Sequence, residues 1–103
     1  MSEMTMVRIY VTEGERKRHH SLADEIFNRL YQEHKVMGVT QFRGIAGFGS
    51  HGVVHSADLI HINAQLPIII EFFDQEDVVS EALVWIRELV DPDRIVSWKI
   101  QVG

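Results

Sequence analysis

The segment Leu66–Phe73 constrains the fold more than any other part of the sequence, because it is apolar at nearly every position. Successive side chains of a strand point to opposite faces of the sheet. A strand that is apolar on both faces is typical of the centre of a sheet whose two faces are both covered. We therefore expect a central strand with these side chains on its two faces: Ile68, Ile70 and Phe72 on one, Ile69 and Phe73 on the other.

Two stretches of the chain have the apolar periodicity of a helix. In the first, an apolar residue recurs every four positions after Ser21, which fits an N-cap. Gly38 is well placed to end this helix, so we expect it to cover about 21–37. In the second, Asp74 can cap a broad apolar stripe that stops at the Asp-Pro pair of positions 91 and 92.

Alternating patterns predict further strands at 7–11, 39–46 and 96–102, which gives the order β-α-β-β-α-β. This order is the split βαβ pattern of a ferredoxin-like α+β fold, an antiparallel sheet with two helices on one face. We expect residues 1–103 to form a single domain of this kind, since the length is near the common size of one domain.

The apolar segment 57–62 needs a separate interpretation. We assign it to the same kinked strand as 66–73, because a separate strand would reverse the direction of the next one. The Gly- and His-rich stretch before it, from Gly47 to about Ser56, is then the loop of an extended hairpin between the second and third strands.

The predicted fold leaves one apolar surface uncovered. Two helices on one side of a four-stranded sheet cannot cover its other face. An exposed apolar face is typical of a protein–protein interface. We therefore expect a homo-oligomer.

The composition excludes several classes of protein and site. The absence of cysteine excludes a disulfide scaffold, a zinc-thiolate site and a cysteine nucleophile. The net charge of −5 argues against nucleic acid as a partner. The longest apolar run is far shorter than the roughly 20 residues that span a bilayer. The first residues lack the pattern of a signal peptide, so we expect a cytoplasmic protein.

The segment from Arg43 to Gly49 is the sharpest candidate for a binding site. Three glycines follow Arg43 closely, at positions 44, 47 and 49. Glycines let the backbone approach a ligand and can point successive N–H groups at an anion. The spacing matches neither a Walker loop nor a dinucleotide-binding fingerprint. From spacing alone, the segment is either an anion-binding loop or a bulged strand end.

Two further groups of residues could bind a ligand. The basic run Arg16–His20 directly precedes the first helix, where cations would help to hold a phosphate, or it is a solvated loop. His51, His55 and His61 could bind a transition metal, or they are polar residues of a loop.

No set of residues identifies a catalytic site. Glu71 in the central strand could act as a general base, or it could pair with Arg8 or Lys99 at an interface. Trp85 and Trp98 fit core or interface positions better than a platform for stacking bases. We therefore expect a protein that is not an enzyme.

The pattern Arg-Gly-Ile-x-Gly-Phe-Gly at 43–49 resembles the signature of an uncharacterised bacterial and archaeal family of PII-like proteins. Three other segments are similar to further blocks of this family: the strand at 7–11, His55-Ser56-Ala57 and the Leu-Pro block at 66–71. The similarity extends over about residues 6–102. It implies a ferredoxin-like subunit assembled as a PII-like homotrimer, with the sheets facing inward.

The resemblance also implies a ligand and a partner. PII-like trimers typically bind adenine nucleotides or other small effectors in clefts between subunits, so AMP, ADP or ATP is the expected effector and no cofactor is required. The long loop, here about 47–62, would contact a regulated protein such as a membrane transporter. Carried over residue by residue, the ligand-binding candidates are Arg43, Gly44, Gly47, Phe48, Gly49 and His55.

The sequence departs from the nitrogen-regulatory PII proteins in two places. Residues 91–95 lack a Gly-rich basic loop after the second helix, and Tyr10 and Tyr31 lie outside the long loop, so uridylylation is not expected. An alternative function is that of a divalent-metal-binding trimer similar to the cation-tolerance proteins. In that case the metal ligands would be His51, His55 and His61, contributed by different subunits.

Overall fold

The computed structural model describes residues 2–48, 55–56 and 65–103. The strands in these ranges are β1 (Ser2–Thr12), β2 (Arg16–Lys17), β3 (His20–Ser21), β4 (Gly38–Arg43), β5 (Ala46–Gly47), β6 (His55–Ser56), β7 (Pro67–Asp74) and β8 (Ile95–Val102). The helices are α1 (Leu22–Arg29), which continues into a π-helical turn over Leu30–His34, and α2 (Glu76–Leu89), with a short 3-10 turn at Pro92–Arg94. None of the helices in these ranges has the length and apolar character needed to cross a membrane.

The four long strands form one antiparallel sheet in the spatial order β4-β7-β1-β8. Ile70 at the middle of β7 lies opposite Ile9 of β1 on one side and opposite Gln41 of β4 on the other. With α1 after β1 and α2 after β7, this is a ferredoxin-like fold. The predicted fold class and the central position of the apolar strand are confirmed.

The core lies between the sheet and the two helices. The alternating pattern of β7 buries every second side chain on the helical side. The side chains that fill the core are Val7, Ile9 and Val11 of β1, Ile68, Ile70 and Phe72 of β7, Leu22, Ile26 and Leu30 of the first helical segment, and Val79, Ala82 and Ile86 of α2.

The opposite face of the sheet is mostly apolar and is not covered by either helix. Each of the four strands contributes to it. Its apolar side chains are Met4, Met6 and Tyr10 of β1, Ile69 and Phe73 of β7, Phe42 of β4, and Val96, Trp98 and Ile100 of β8. We call this surface the open face. It matches the expectation that the central strand is apolar on both sides.

The first helix begins where the sequence predicts but ends earlier. Ser21 is the N-cap, and its hydroxyl accepts a hydrogen bond from the backbone N–H of Asp24 at 3.4 Å. The predicted end at Gly38 is wrong, because the helical turns stop at His34 and Lys35 takes the left-handed conformation with φ of 49°. Gly38 instead begins β4, where a Cβ would lie 2.6 Å from Cε1 of Phe73. Glycine is required there by packing between strands.

The predicted cap of the second helix is also wrong. Asp74 is the last residue of β7, and Gln75 is the N-cap residue of α2. The Asp74 carboxylate accepts hydrogen bonds from the backbone N–H groups of Met37, at 3.1 Å, and Gln75, at 2.6 Å. It therefore connects the end of β7 to the turn before β4.

Among the described residues, the second long strand is shorter than predicted. The second long strand ends at Arg43 rather than near residue 46, and the two-residue strand β5 follows after a break. The interpretation of 57–62 as a continuation of the central strand falls outside the described residues. Within the described part of the chain, the central strand begins at Pro67.

Candidate functional site

The glycine segment after β4 packs directly against the start of β7. The backbone N–H of Gly44 donates a hydrogen bond to the carbonyl of Pro67 at 2.8 Å. A Cβ at Gly44 would lie 2.8 Å from Cγ of Pro67, and a Cβ at Gly47 would lie 3.1 Å from the same atom. Both glycines are therefore explained by close packing on a proline ring, which holds this backbone in a fixed position.

Arg43 projects from the end of edge strand β4, and 64% of its side chain is exposed. Its Nε lies 2.9 Å from Oε2 of Glu13, a residue in the turn after β1. The backbone of Glu13 is itself fixed, since its N–H donates to the carbonyl of Leu66 at 2.7 Å. Three separate segments, after β1, after β4 and before β7, therefore meet at one place beside Arg43.

Large apolar side chains lie next to this cation in the sequence and are exposed. Phe48 is 73% exposed and Ile45 is 80% exposed. Phe42, which precedes Arg43, belongs to the open face, so the segment starts at the rim of that face. An exposed guanidinium beside exposed apolar groups can bind an anion that carries an apolar or aromatic part.

The structure brings one of the predicted histidines to this segment. β5 pairs with β6 in antiparallel register, which places His55 opposite Gly47 and Ser56 opposite Ala46. The pairing was not predicted, because the region was interpreted as a loop from Gly47 onward. The backbone of His55 therefore lies beside the glycine segment.

The remaining predicted site residues fall elsewhere. Gly49, His51 and His61 lie outside the described residues, so the structure does not place them. Within residues 2–48 and 65–103, no group of three or more His, Asp or Glu side chains is arranged to hold a metal ion.

The turn between β1 and α1 is braced by an ion pair with the last part of the chain. Arg94 donates to both carboxylate oxygens of Glu15, from Nη1 at 2.9 Å and from Nη2 at 2.6 Å. Oε1 of Glu15 also accepts from the backbone N–H of Thr12 at 3.0 Å. The hydrogen bonds from Arg94 lower the pKa of Glu15, and Glu15 in turn raises the pKa of Arg94.

The basic run before α1 forms a small hairpin rather than the loop that its composition suggests. β2 pairs with β3, and the guanidinium of Arg16 donates to the carbonyl of His19 across the turn. Arg18 at the tip has a positive φ of 60°. The basic side chains of this hairpin are exposed.

Glu71 is paired on the open face. Nε of Arg8 lies 2.5 Å from Oε2 of Glu71, and the Arg8 guanidinium lies 5.5 Å from the ring centroid of Trp98. The hydrogen bond with Glu71 raises the pKa of Arg8. Of the two partners that the sequence suggested for Glu71, Arg8 is therefore the correct one, whereas Lys99 lies 3.0 Å from Glu76.

Sequence reasoning missed Glu13. The residue belongs to a polar stretch after β1, and nothing in its local pattern indicates a partner thirty positions away. The antiparallel topology could have indicated this contact. It brings the last residues of β1 and of β4 to the same end of the sheet as the first residues of β7.

Comparison with known proteins supplies the family. The family model DUF190, described as Uncharacterized ACR, COG1993, matches residues 4–102. The UPF0166 protein MJ1524 of Methanocaldococcus jannaschii is 27% identical over 96 residues, which cover 93% of this chain and 87% of that protein. A UPF0166 protein of Aquifex aeolicus is 27% identical over 82 residues, which cover 80% of this chain and 77% of that protein.

Solved structures of two kinds share the fold. CPII of Thiomonas intermedia K12, a nitrogen regulatory PII-like protein bound to ADP, AMP and bicarbonate, superposes with a TM-score of 0.65 at 20% identity, covering 99% of this chain and 97% of that one. CutA1 of Oryza sativa superposes with a TM-score of 0.64 at 12% identity, covering 98% of this chain and 83% of that one. These two similarities concern the fold, whereas the match of the family model over residues 4–102 shows that the chain belongs to the DUF190 (UPF0166) family.

Proposed function

We propose that this protein is a non-enzymatic PII-like regulator that binds a small anionic effector, an adenine nucleotide, at clefts between the subunits of a homotrimer. Effector binding changes the conformation of the 47–62 loop and thereby the affinity for a regulated partner protein. The observation that carries the proposal is the junction at Arg43, where an exposed cation and a rigidly held glycine backbone lie beside exposed apolar side chains.

The chemistry of a nucleotide suits this junction. A guanidinium forms charge-assisted hydrogen bonds with phosphate oxygens, in a geometry that suits two parallel bonds. The ring of Phe48 is exposed and aromatic, which suits stacking on a purine base. The Gly44 N–H already donates to the carbonyl of Pro67, so this backbone is held in place before a ligand binds and no mobile loop has to be ordered there.

The position of the junction supports a site between subunits. β4 is an edge strand, and Phe42 belongs to the open face while Arg43 directly follows it. Arg43 lies opposite Ile68 and so points to the helical side, but it stands at the end of an edge strand. A second subunit that covers the open face and extends past this edge would therefore come close to Arg43. The shared fold with CPII, which is solved with ADP and AMP bound, favours an adenine nucleotide over other anions.

The test is direct titration with AMP, ADP and ATP, with and without magnesium, by calorimetry and by thermal unfolding. At about 100 times the dissociation constant, a ligand that binds only the native state should stabilise the fold by about 2.7 kcal/mol. Arg43→Gln should weaken binding by about tenfold or more, because it removes one charge-assisted interaction with the phosphate.

Arg87→Gln is the matched control for this variant. Arg87 is an exposed arginine in the last turn of α2, on the helical side of the molecule. Its replacement should leave nucleotide affinity unchanged. The proposal fails if none of the three nucleotides binds the wild-type protein, or if both arginine variants lose the same affinity.

A divalent-metal-binding trimer remains the second candidate, and the similarity of the fold to CutA1 of Oryza sativa favours it. In this function His51, His55 and His61 supply the ligands. Titration with copper and zinc should then show binding that is lost when the three histidines are replaced by alanine. Metal binding that survives this replacement, or no binding at all, rules this candidate out.

A further inference from the structure

We infer that Glu13 is the internal counter-ion of the anion site: its carboxylate occupies the place at Arg43 that the effector's phosphate takes, so the effector binds by displacing it. This inference rests on the proposed function and adds to it a residue that limits affinity and selects among ligands by their charge. Glu13 is not part of the glycine segment and makes its contact from the turn after β1.

The ion pair between Glu13 and Arg43 has the properties of a replaceable contact. The two atoms, Oε2 and Nε, are 2.9 Å apart, within the range of a charge-assisted hydrogen bond. The side chains are 36% and 64% exposed, so water and salt already compete for them. Exposed pairs of this kind contribute little net stability, and an incoming phosphate can displace the carboxylate without breaking the fold.

The backbone around Glu13 is held in place by its own contacts, so it does not shift when the Glu13 side chain is displaced. Its N–H donates to the carbonyl of Leu66, and the next residue, Gly14, has a positive φ of 84°. A Cβ at Gly14 would lie 2.9 Å from Nε2 of Gln65. Two residues further, Glu15 is held by both Nη atoms of Arg94. Displacement is therefore a rotation of the Glu13 side chain alone.

This restriction has a consequence for selectivity. Because its backbone is fixed, the displaced carboxylate stays within the length of a side chain from the bound phosphate. This separation is shorter than the Debye length, which is about 8–10 Å at 0.10–0.15 M ionic strength. Its repulsion increases with the negative charge on the ligand. Glu13 should thus penalise ATP more than AMP, and it should penalise free nucleotides more than their magnesium complexes.

The experiment is calorimetric titration of wild type and Glu13→Gln with ATP and with AMP, in EDTA at low and at physiological salt. Glutamine keeps the size and a hydrogen-bond acceptor but removes the charge. We expect Glu13→Gln to tighten ATP binding by about two- to fivefold at low salt, with a smaller gain for AMP and a reduced gain at higher salt.

Glu3→Gln is the matched control, because Glu3 is an exposed glutamate that also has a cation nearby, with its Oε1 3.9 Å from Nζ of Lys99. It removes one negative charge from the protein, as Glu13→Gln does, and should leave both affinities unchanged. If the wild type binds nucleotide but Glu13→Gln binds equally or more weakly, or if Glu3→Gln gives the same gain, the inference fails and the proposed function stands. If neither the wild type nor Glu13→Gln binds nucleotide, both fail.

Discussion

Trp85 of α2 donates its indole N–H to Nε2 of His34, with 2.8 Å between the two nitrogens. The rings are nearly parallel, at 17°, and the guanidinium of Arg29 lies 4.1 Å from the Trp85 ring centroid on the same helical surface. The contact joins the π-helical turn at the end of the first helical segment to the middle of α2. It requires a histidine whose Nε2 carries no proton.

The first prediction concerns this contact. His34→Leu should destabilise the protein by about 1–3 kcal/mol, because it leaves the N–H of a buried tryptophan without its partner. Trp85→Phe also removes the hydrogen bond, but it leaves behind only the half-exposed imidazole, which water can reach.

Urea unfolding of the two single variants and the double variant gives the coupling energy between the residues. We expect a favourable coupling of about 1 kcal/mol, near the net value of one hydrogen bond. A coupling of zero would mean that the contact contributes nothing to stability in solution. His20→Leu, at an exposed hairpin position, is the control for loss of a histidine.

The second prediction concerns acid stability and the Glu15–Arg94 ion pair. The pKa of Glu15 is lowered in the folded protein, chiefly by the hydrogen bonds from Arg94, so the unfolded chain binds protons at a higher pH than the native state. The pair therefore stabilises the protein above the ordinary carboxyl pKa of 4.5, and this contribution is lost as the pH falls below that value.

Glu15→Gln should remove this part of the pH dependence. Its free energy of unfolding should be lower than that of wild type at pH 7 by up to about 1 kcal/mol, a value limited by the partial exposure of both groups. The difference should shrink as the pH is lowered past 4.5. Glu88→Gln, on the exposed side of α2, is the control, and the expectation is wrong if both variants show the same curve from pH 7 to pH 3.

The features predictable from the sequence are those with a local or periodic signal. The alternation of apolar residues located the central strand and both of its apolar faces, and Ser21 identified the start of α1. The order of the elements then specified the ferredoxin-like topology. Each of these signals depends on residues within a few positions of one another, or on the simple count of elements.

The contacts that the sequence did not reveal join residues far apart in the chain. The pairing of Glu13 with Arg43 depends on the register of three strands. The choice of Arg8 over Lys99 for Glu71 depends on which strand and which face of the sheet each residue occupies. No pattern within a short window encodes such contacts.

The third prediction follows from the mistaken role of Gly38. The helical segment ends at Lys35, whose φ of 49° is unfavourable for any residue that has a Cβ. Lys35→Gly should therefore leave stability unchanged or raise it by up to about 1 kcal/mol. Gly38→Ala should lower stability by about 1–3 kcal/mol, since its Cβ would lie 2.6 Å from Cε1 of Phe73.

Thermal and urea unfolding of both variants test the assignment. Adding Phe73→Leu to Gly38→Ala should recover part of the loss, because it removes the ring atoms that the new methyl group meets. If Lys35→Gly is strongly destabilising while Gly38→Ala is tolerated, the glycine ends the helix after all and the strand contact is unimportant.

The last prediction concerns the assembly of the open face. Trp98 lies there, 42% exposed in the single chain and next to the Arg8 guanidinium. If three subunits bring their open faces together, Trp98→Lys introduces a cation beside Arg8 in each subunit, where it is removed from water without a partner. Such a burial is costly enough to prevent association.

Light scattering across a range of concentrations measures the outcome. The wild-type protein should have about three times the 11.9 kDa mass of one chain, and Trp98→Lys should have the mass of one chain at low concentration. Val84→Lys is the matched control, because Val84 is an exposed apolar residue on the outer side of α2 and its replacement leaves the open face unchanged. If Trp98→Lys keeps the same mass as Val84→Lys and the wild type, the open face does not hold the subunits together. The inter-subunit location proposed for the nucleotide would then be wrong as well.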